Sequence, residues 1–255
     1  MSNLFSQVAE HAAYVLGFVV IIAAAFIIAA AFEMYAKKKA GDTDRILTTR
    51  KIVVIGIFSA IAFILMFFEF PVPFAPAFYK IGFSDLPALV GAFAFGPVAG
   101  VMIELVKILL NLIFDGTNTA FVGELANFLV GCSYILPGSI MYLFKKSKKT
   151  ALISCITGTL AMTLFGCVFN AFYLLPAYAF LYGGIPVSAL VEYGTAINPA
   201  ITNVFTFVVL AVAPLNLVKG IMVSVVTLLV YKPLSPIIKF GQVSVKKKNS
   251  AVAEN

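Results

Sequence analysis

The sequence predicts an all-α protein that crosses a membrane with seven helices. Three observations carry that reading. Hydrophobic residues make up 62% of the 255 and charged residues only 11%, where a soluble domain carries about 25%. Mean hydropathy is +1.04. The 18 lysines and arginines also cluster: six lie in residues 36–51, four in 145–149 and five from Lys232 onward. Short basic loops between apolar runs are what the positive-inside rule asks of cytoplasmic loops. The same clustering excludes nucleic-acid binding as the reason for the net charge of +7.

The first apolar run covers residues 13–32. Glu10 precedes it and Lys37, Lys38 and Lys39 follow it, the reverse of a signal peptide's charge order. The run is therefore read as a retained helix within residues 1–35, with the N-terminus outside and the C-terminus cytoplasmic. Residues 36–51 form a basic cytoplasmic linker. A second run, 52–68, ends at Pro71, Pro73 and Pro76, which forbid a helix and make 71–84 an external loop. Residues 86–114 are split at Gly96-Pro97. The first half is only about 15 Å long as a helix and needs protein around it. The second half, 98–114, can span. "DGTNTA" turns the chain, 121–144 return inward, 151–182 run outward, a loop covers 183–198, and 200–231 run inward to a basic tail, 233–255. Cys132, Cys155 and Cys167 are odd in number and lie in apolar context, so they read as small core residues. His11, the single histidine, reads as solvated.

This topology leaves Lys107 and Lys219 inside spans and Lys80 in an outer loop. A charge at the bilayer centre costs at least about 2.5–3.5 kcal/mol, so Lys219 needs a reason. It lies 13 residues before Lys232, roughly 20 Å from the cytoplasmic end. Asn216 shares its face one turn further out, and Pro214 can kink the helix there. A pocket wall open to the outside fits this pattern, as does a lysine snorkelling to the headgroups. Glu104 and Lys107 have the spacing of an intrahelical ion pair, although one of them can also face the pocket. Glu124 and Asn127 open the fifth span, suited either to the helix dipole or to ligand contact. Asn170, among Phe169, Phe172 and Tyr173, reaches a depth close to that of Asn216. It serves a ligand or an interhelical hydrogen bond. Gly56 and Ala60 form a small-xxx-small strip for close helix contact, widened by Ser59 and Ala62.

No G-x-x-x-x-G-K-[ST] loop is present, so the chain has no P-loop route to ATP hydrolysis. Paired metal ligands, a nucleophile elbow and H-E-x-x-H are also missing, which argues against an enzyme. The segments "FPVPFAPAFYKIGFSDLPALVGAFAFGPVAGVMIELVK", "GELANFLVG", "NAFYLLPAY" and "PLNLVKG" together resemble the riboflavin-binding S components of energy-coupling factor (ECF) transporters. The resemblance covers about residues 50–235 and implies a six-helix S-component domain, here 52–232, with one extra N-terminal transmembrane helix.

It further implies a plasma-membrane subunit without a cofactor that captures riboflavin at the outer face. Flavin mononucleotide is the second candidate ligand. A membrane-embedded T component and two cytoplasmic ATPases would be its partners. Gly56 and Ala60 would dock on the T component. Asn170, Asn216 and Lys219 would bind the flavin, and residues 71–84 would lid the site. Phe78, Tyr79, Lys80 and Phe83, with Glu104 and Asn127, complete the candidate ligand set. A flavin needs apolar and aromatic walls with a few fixed polar groups, which these residues offer. The family usually has an acid where Gly82 stands; Asp85 either compensates for it or serves structure alone. The competing reading is an ion-coupled secondary transporter with Glu104 and Lys107 as a proton relay, although no internal repeat is visible.

Overall fold

The computed structural model describes residues 12–41, 45–117 and 119–230. His11 and the basic tail 233–255 lie outside them. Among the described residues, six helices are long and apolar enough to cross a membrane, and a shorter apolar helix joins them. In chain order these are α1 (Ala12–Ala40), α2 (Thr49–Met66), α3 (Leu86–Phe95), α4 (Pro97–Phe114), α5 (Val122–Phe144), α6 (Lys148–Leu181), then α7 (Val187–Thr195) and α8 (Val204–Val230). The short helix is α3.

The expected break at Gly96-Pro97 is present. Gly96 adopts φ +99°, a conformation open to glycine, and Pro97 starts α4 where its missing N–H costs nothing. α3 and α4 thus form a tight antiparallel hairpin. Eight of the ten residues of α3 are buried, so the short helix has the protein surroundings it needs. Lipid offers apolar side chains no gain over another helix, so packing here rests on close approach and small residues. Ala88, Ala92 and Ala99 meet Ile103, Ile135 and Met162 in one core. A second core joins the loop residues Val72, Ala75 and Tyr79 to Leu175, Leu190, Phe207 and Val212.

Three features depart from the sequence expectations. The segment 183–198 is not all loop, because α7 packs Leu190 and Val191 into the second core. The proline-rich loop is tied at its base by β1 (Phe70–Pro71) and β2 (Lys80–Ile81), paired antiparallel with Phe70 opposite Ile81. Lys51 is not a solvated linker residue: it is buried in the first turn of α2, with its Nζ 2.5 Å from Glu33 Oε1.

Pro214 acts through a π-turn rather than a simple kink. Within α8, residues Val208–Val212 form one turn of π-helix, closed by the Ala213 N–H on Val208 O. In α6, Asn170–Leu174 do the same, closed by the Leu175 N–H on Asn170 O. A proline follows each π-turn by two residues, at Pro176 and Pro214. Its ring would clash with the carbonyl four residues earlier, and the wider turn relieves that clash.

Candidate functional site

Asp85 occupies the N-cap position of α3, yet its side chain makes no capping bond. It turns instead toward two lysines. Lys107 of α4 donates to Asp85 Oδ1 at 2.8 Å, and Lys219 Nζ of α8 lies 2.7 Å from Asp85 Oδ2. Lys107 also pairs with Glu104 at 2.6 Å within α4. Two acids and two bases therefore form one buried, neutral cluster. A carboxylate or ammonium alone at such a place costs several kcal/mol, roughly, which explains why the four occur together. Glu104 fits because α5 presents Gly131 there, where a Cβ would meet Glu104 Oε2 at 2.7 Å. The intrahelical pair expected of Glu104 and Lys107 exists, with Asp85 added to it. Lys219, half expected to pair with Glu104, pairs with Asp85 and is only 9% exposed.

A second polar group lies one turn from the first. Asn216 packs against Gly166 of α6, where a Cβ would meet its Nδ2 at 2.6 Å. Its Nδ2 donates to Val212 O at 3.0 Å. The Asn170 Nδ2 donates to Gly166 O at 2.7 Å, so both asparagines flank the same glycine. Tyr79, at the base of the loop just before β2, closes over them and donates its hydroxyl to Asn170 Oδ1 at 2.5 Å. Burial pushes the Tyr79 phenol well above its ordinary range, which keeps it a neutral donor. Phe78 lies beside Tyr79 with ring centroids 4.6 Å apart, and edge-on to Tyr178 of α6 at 5.9 Å. The loop thus supplies an aromatic cover above amide groups on α6 and α8.

The remaining candidates fall differently. The Asn127 Oδ1 and Glu104 Oε1 atoms are buried with no hydrogen-bond partner among the described residues. Lys80 is exposed on β2, and Phe83 packs with the core that holds Ile55 and Ala88, whereas Tyr79 belongs to the second core. Glu124 accepts from Thr117 and Thr119 and so fastens the turn before α5. Beside Gly82 the nearest side chain is that of Glu69, whose Cγ would lie 2.6 Å from a Cβ there; Glu69 also accepts from Ser84 at 2.9 Å. Glu69, not Asp85, is therefore the carboxylate next to the position without an acid. On α2 a narrow strip (Lys51, Ile55, Ser59, Ala62) is buried, while Gly56 and Ala60 face outward.

Asp85 joins the cluster without being marked by its neighbours in sequence, although one signal is present. α3 is too short to span, so its N-cap reaches only about 15 Å from the Gly96 turn. Lys107, ten residues after Pro97, climbs about the same distance.

Residues 50–231 match the family model described as ECF transporter, substrate-specific component. Among curated proteins, the riboflavin transporter RibU of Staphylococcus aureus (strain TCH60) is 36% identical over 190 residues. The alignment covers 74% of this chain and 93% of that protein. The riboflavin transporter FmnP of Bacillus subtilis (strain 168) is 36% identical over 191 residues, with 73% and 93% covered. A solved structure, reported under the words "Structure and mechanism of the S component of a bacterial ECF transporter", superposes with a TM-score of 0.58. It is 36% identical and covers 74% of this chain and 97% of its own.

Proposed function

The chain belongs to the substrate-specific components of ECF transporters, and from that premise we propose that it captures riboflavin at the outer face of the plasma membrane. It is a transport subunit, not an enzyme. The observation that carries the ligand reading is the meeting of Asn170 and Asn216 at Gly166, beneath Tyr79 and one turn from Lys219. A flavin presents a flat apolar tricycle, a polar pyrimidine edge and a polyol. Phe78, Tyr79 and Tyr178 suit the tricycle. The amides and the Lys219 ammonium suit the pyrimidine edge, and the unpartnered oxygens of Asn127 and Glu104 suit hydroxyl donors.

Energy for uptake comes from elsewhere, since the chain has no P-loop. A membrane-embedded T component and two ATPase subunits fill that role, with Gly56 and Ala60 on the outward face of α2 as the docking strip. The placing of basic residues supports a cytoplasmic location for the 36–51 and 145–149 ends, and hence an outer site under the 71–84 loop. The resting ion pairs of Glu104 and Lys107, bound into a neutral cluster, favour this reading over a proton relay. Riboflavin requires no separate cofactor.

Titration of the purified protein with riboflavin, followed by quenching of flavin fluorescence, tests the proposal. Submicromolar binding is expected. Absence of quenching at micromolar flavin overturns it. A parallel titration with flavin mononucleotide ranks the two ligands.

A further inference from the structure

Helix α1 precedes the matched region 50–231, yet a buried carboxylate ties it into the core. Phe18, Ala25 and Ala29 lie on one face of α1 and pack into a cluster with Val98, Val101 and Ile108 of α4 and Leu125, Phe128 and Cys132 of α5. Glu33 continues that face by one more turn and is 3% exposed. Its two oxygens do different things. Oε2 accepts the Val98 N–H at 3.2 Å, in the first turn of α4, where free N–H groups and the helix dipole both favour an anion. Oε1 takes the Lys51 ammonium. Gly96 makes room for the carboxylate, since a Cβ there would meet Oε2 at 2.7 Å.

Beside the partly buried Phe58 and Met66, α2 holds to the bundle by four buried residues, of which Lys51 is the first. The others, Ile55, Ser59 and Ala62, are apolar or small, so Lys51 is the ionic fastening among them. The α1 contacts leave the strip beside it open: nothing lies within 4 Å of a Cβ at Gly56.

We propose that α1 is a built-in brace which, through Glu33, fixes the foot of α2 and so presents the Gly56–Ala60 strip to the membrane partner. The inference rests on the reading of that strip as the docking surface. Ligand capture does not depend on the brace. Glu33 sits at the Gly96 end of α3, roughly 15 Å along that helix from Asp85.

The test uses the full chain, purified for riboflavin titration and thermal unfolding, and also reconstituted with its T component and ATPases for riboflavin uptake. Glu33→Gln and Lys51→Met each leave one buried charge unpaired. Each is expected to lower uptake at least about five-fold while the riboflavin Kd stays within about two-fold of wild type, because the lost partner strands a charge far from the flavin site. The double variant, E33Q/K51M, leaves neither charge alone, and the introduced amide oxygen still accepts from Val98. It is expected to recover uptake to within about two-fold of wild type, as removal of both members of a buried pair is tolerated far better than removal of one. Uptake at the wild-type rate by either single variant overturns the proposal. So does loss of riboflavin binding in parallel with uptake, because α1 then supports the whole fold rather than α2. A failure of the function reading itself is seen separately, as wild-type protein that does not quench flavin.

Discussion

Replacing Asp85 with asparagine removes one negative charge and almost no volume. The clustered groups respond unequally. Lys107 keeps Glu104 at 2.6 Å, whereas Lys219 loses the carboxylate that lies against its Nζ. Stranding a buried ammonium in this way costs about 3–5 kcal/mol of stability. Flavin binding suffers too, because Lys219 is then free to swing from the face it shares with Asn216. Loss of a charge-assisted hydrogen bond is worth about 1.5–3 kcal/mol, or roughly ten- to a hundred-fold in Kd. The two effects separate in the double variant D85N/K219M. Neutralising both partners restores most of the stability, since Lys107 and Glu104 remain a balanced pair. Affinity stays low because the donor is gone. Thermal unfolding and riboflavin fluorescence titration on the purified proteins read both quantities. Wild-type affinity in D85N would rule out a role for Asp85 in holding Lys219, and a D85N/K219M no more stable than D85N would rule out the stranded charge.

Gly166→Ala pushes the Asn216 amide, whose Nδ2 would lie 2.6 Å from the new methyl. Because a side-chain end can move aside, stability changes little while the riboflavin Kd rises about ten-fold, roughly one misaligned hydrogen bond; unchanged Kd by titration contradicts this. Tyr79→Phe keeps the ring in its core but deletes the hydroxyl on Asn170, costing about 1 kcal/mol. Its signature is faster riboflavin release in stopped-flow fluorescence, with uptake otherwise intact. Gly56→Leu adds bulk to an outward face with nothing within 4 Å of its Cβ, so binding persists. Riboflavin uptake with the partner subunits is expected to fall to background, and normal uptake would remove Gly56 from the docking strip.

The spans were legible because apolar length is set by bilayer thickness, and the charge clusters marked their ends. Lys219 and Lys107 announced themselves as charges with no loop to occupy. Asp85 did not, since Ser-Asp before Leu-Pro reads as an ordinary helix start, and only its depth makes it unusual. Glu33 was similarly hidden: it lies just before three lysines in sequence and looks like part of a basic flank. The helix at Val187–Thr195 is short and framed by Gly184, Pro186 and Pro199, so local signals favour a loop; its burial comes from Ile201 and Phe207, later in the chain. A ladder of two residue pairs, as in β1 and β2, is too short to show alternation. Such features are fixed by tertiary neighbours, and no window of sequence contains them.

The two π-turns carry a consequence for how the chain tolerates length change. Each packs one residue more into its turn than an α-helix holds, so α6 and α8 are each two helical segments out of phase with one another. Removing a single residue from 171–174 or 208–212 would let plain α-geometry close the gap, with a kink where Pro176 or Pro214 then meets the carbonyl four residues earlier. Everything beyond would keep its facing, because the π-turn already absorbs the surplus residue that plain α-geometry would express as a rotation of about 100°. In α6 Tyr178 and Ala179 would still face the loop. In α8 Asn216 and Lys219 would still face Gly166 and Asp85, whereas a deletion in the α-helical part between the π-turn and Asn216 would turn both away by about 100°. A one-residue deletion within either π-turn should thus leave a membrane-inserted protein with its site faces preserved, while the same deletion in the α-helical stretch that follows should scramble them.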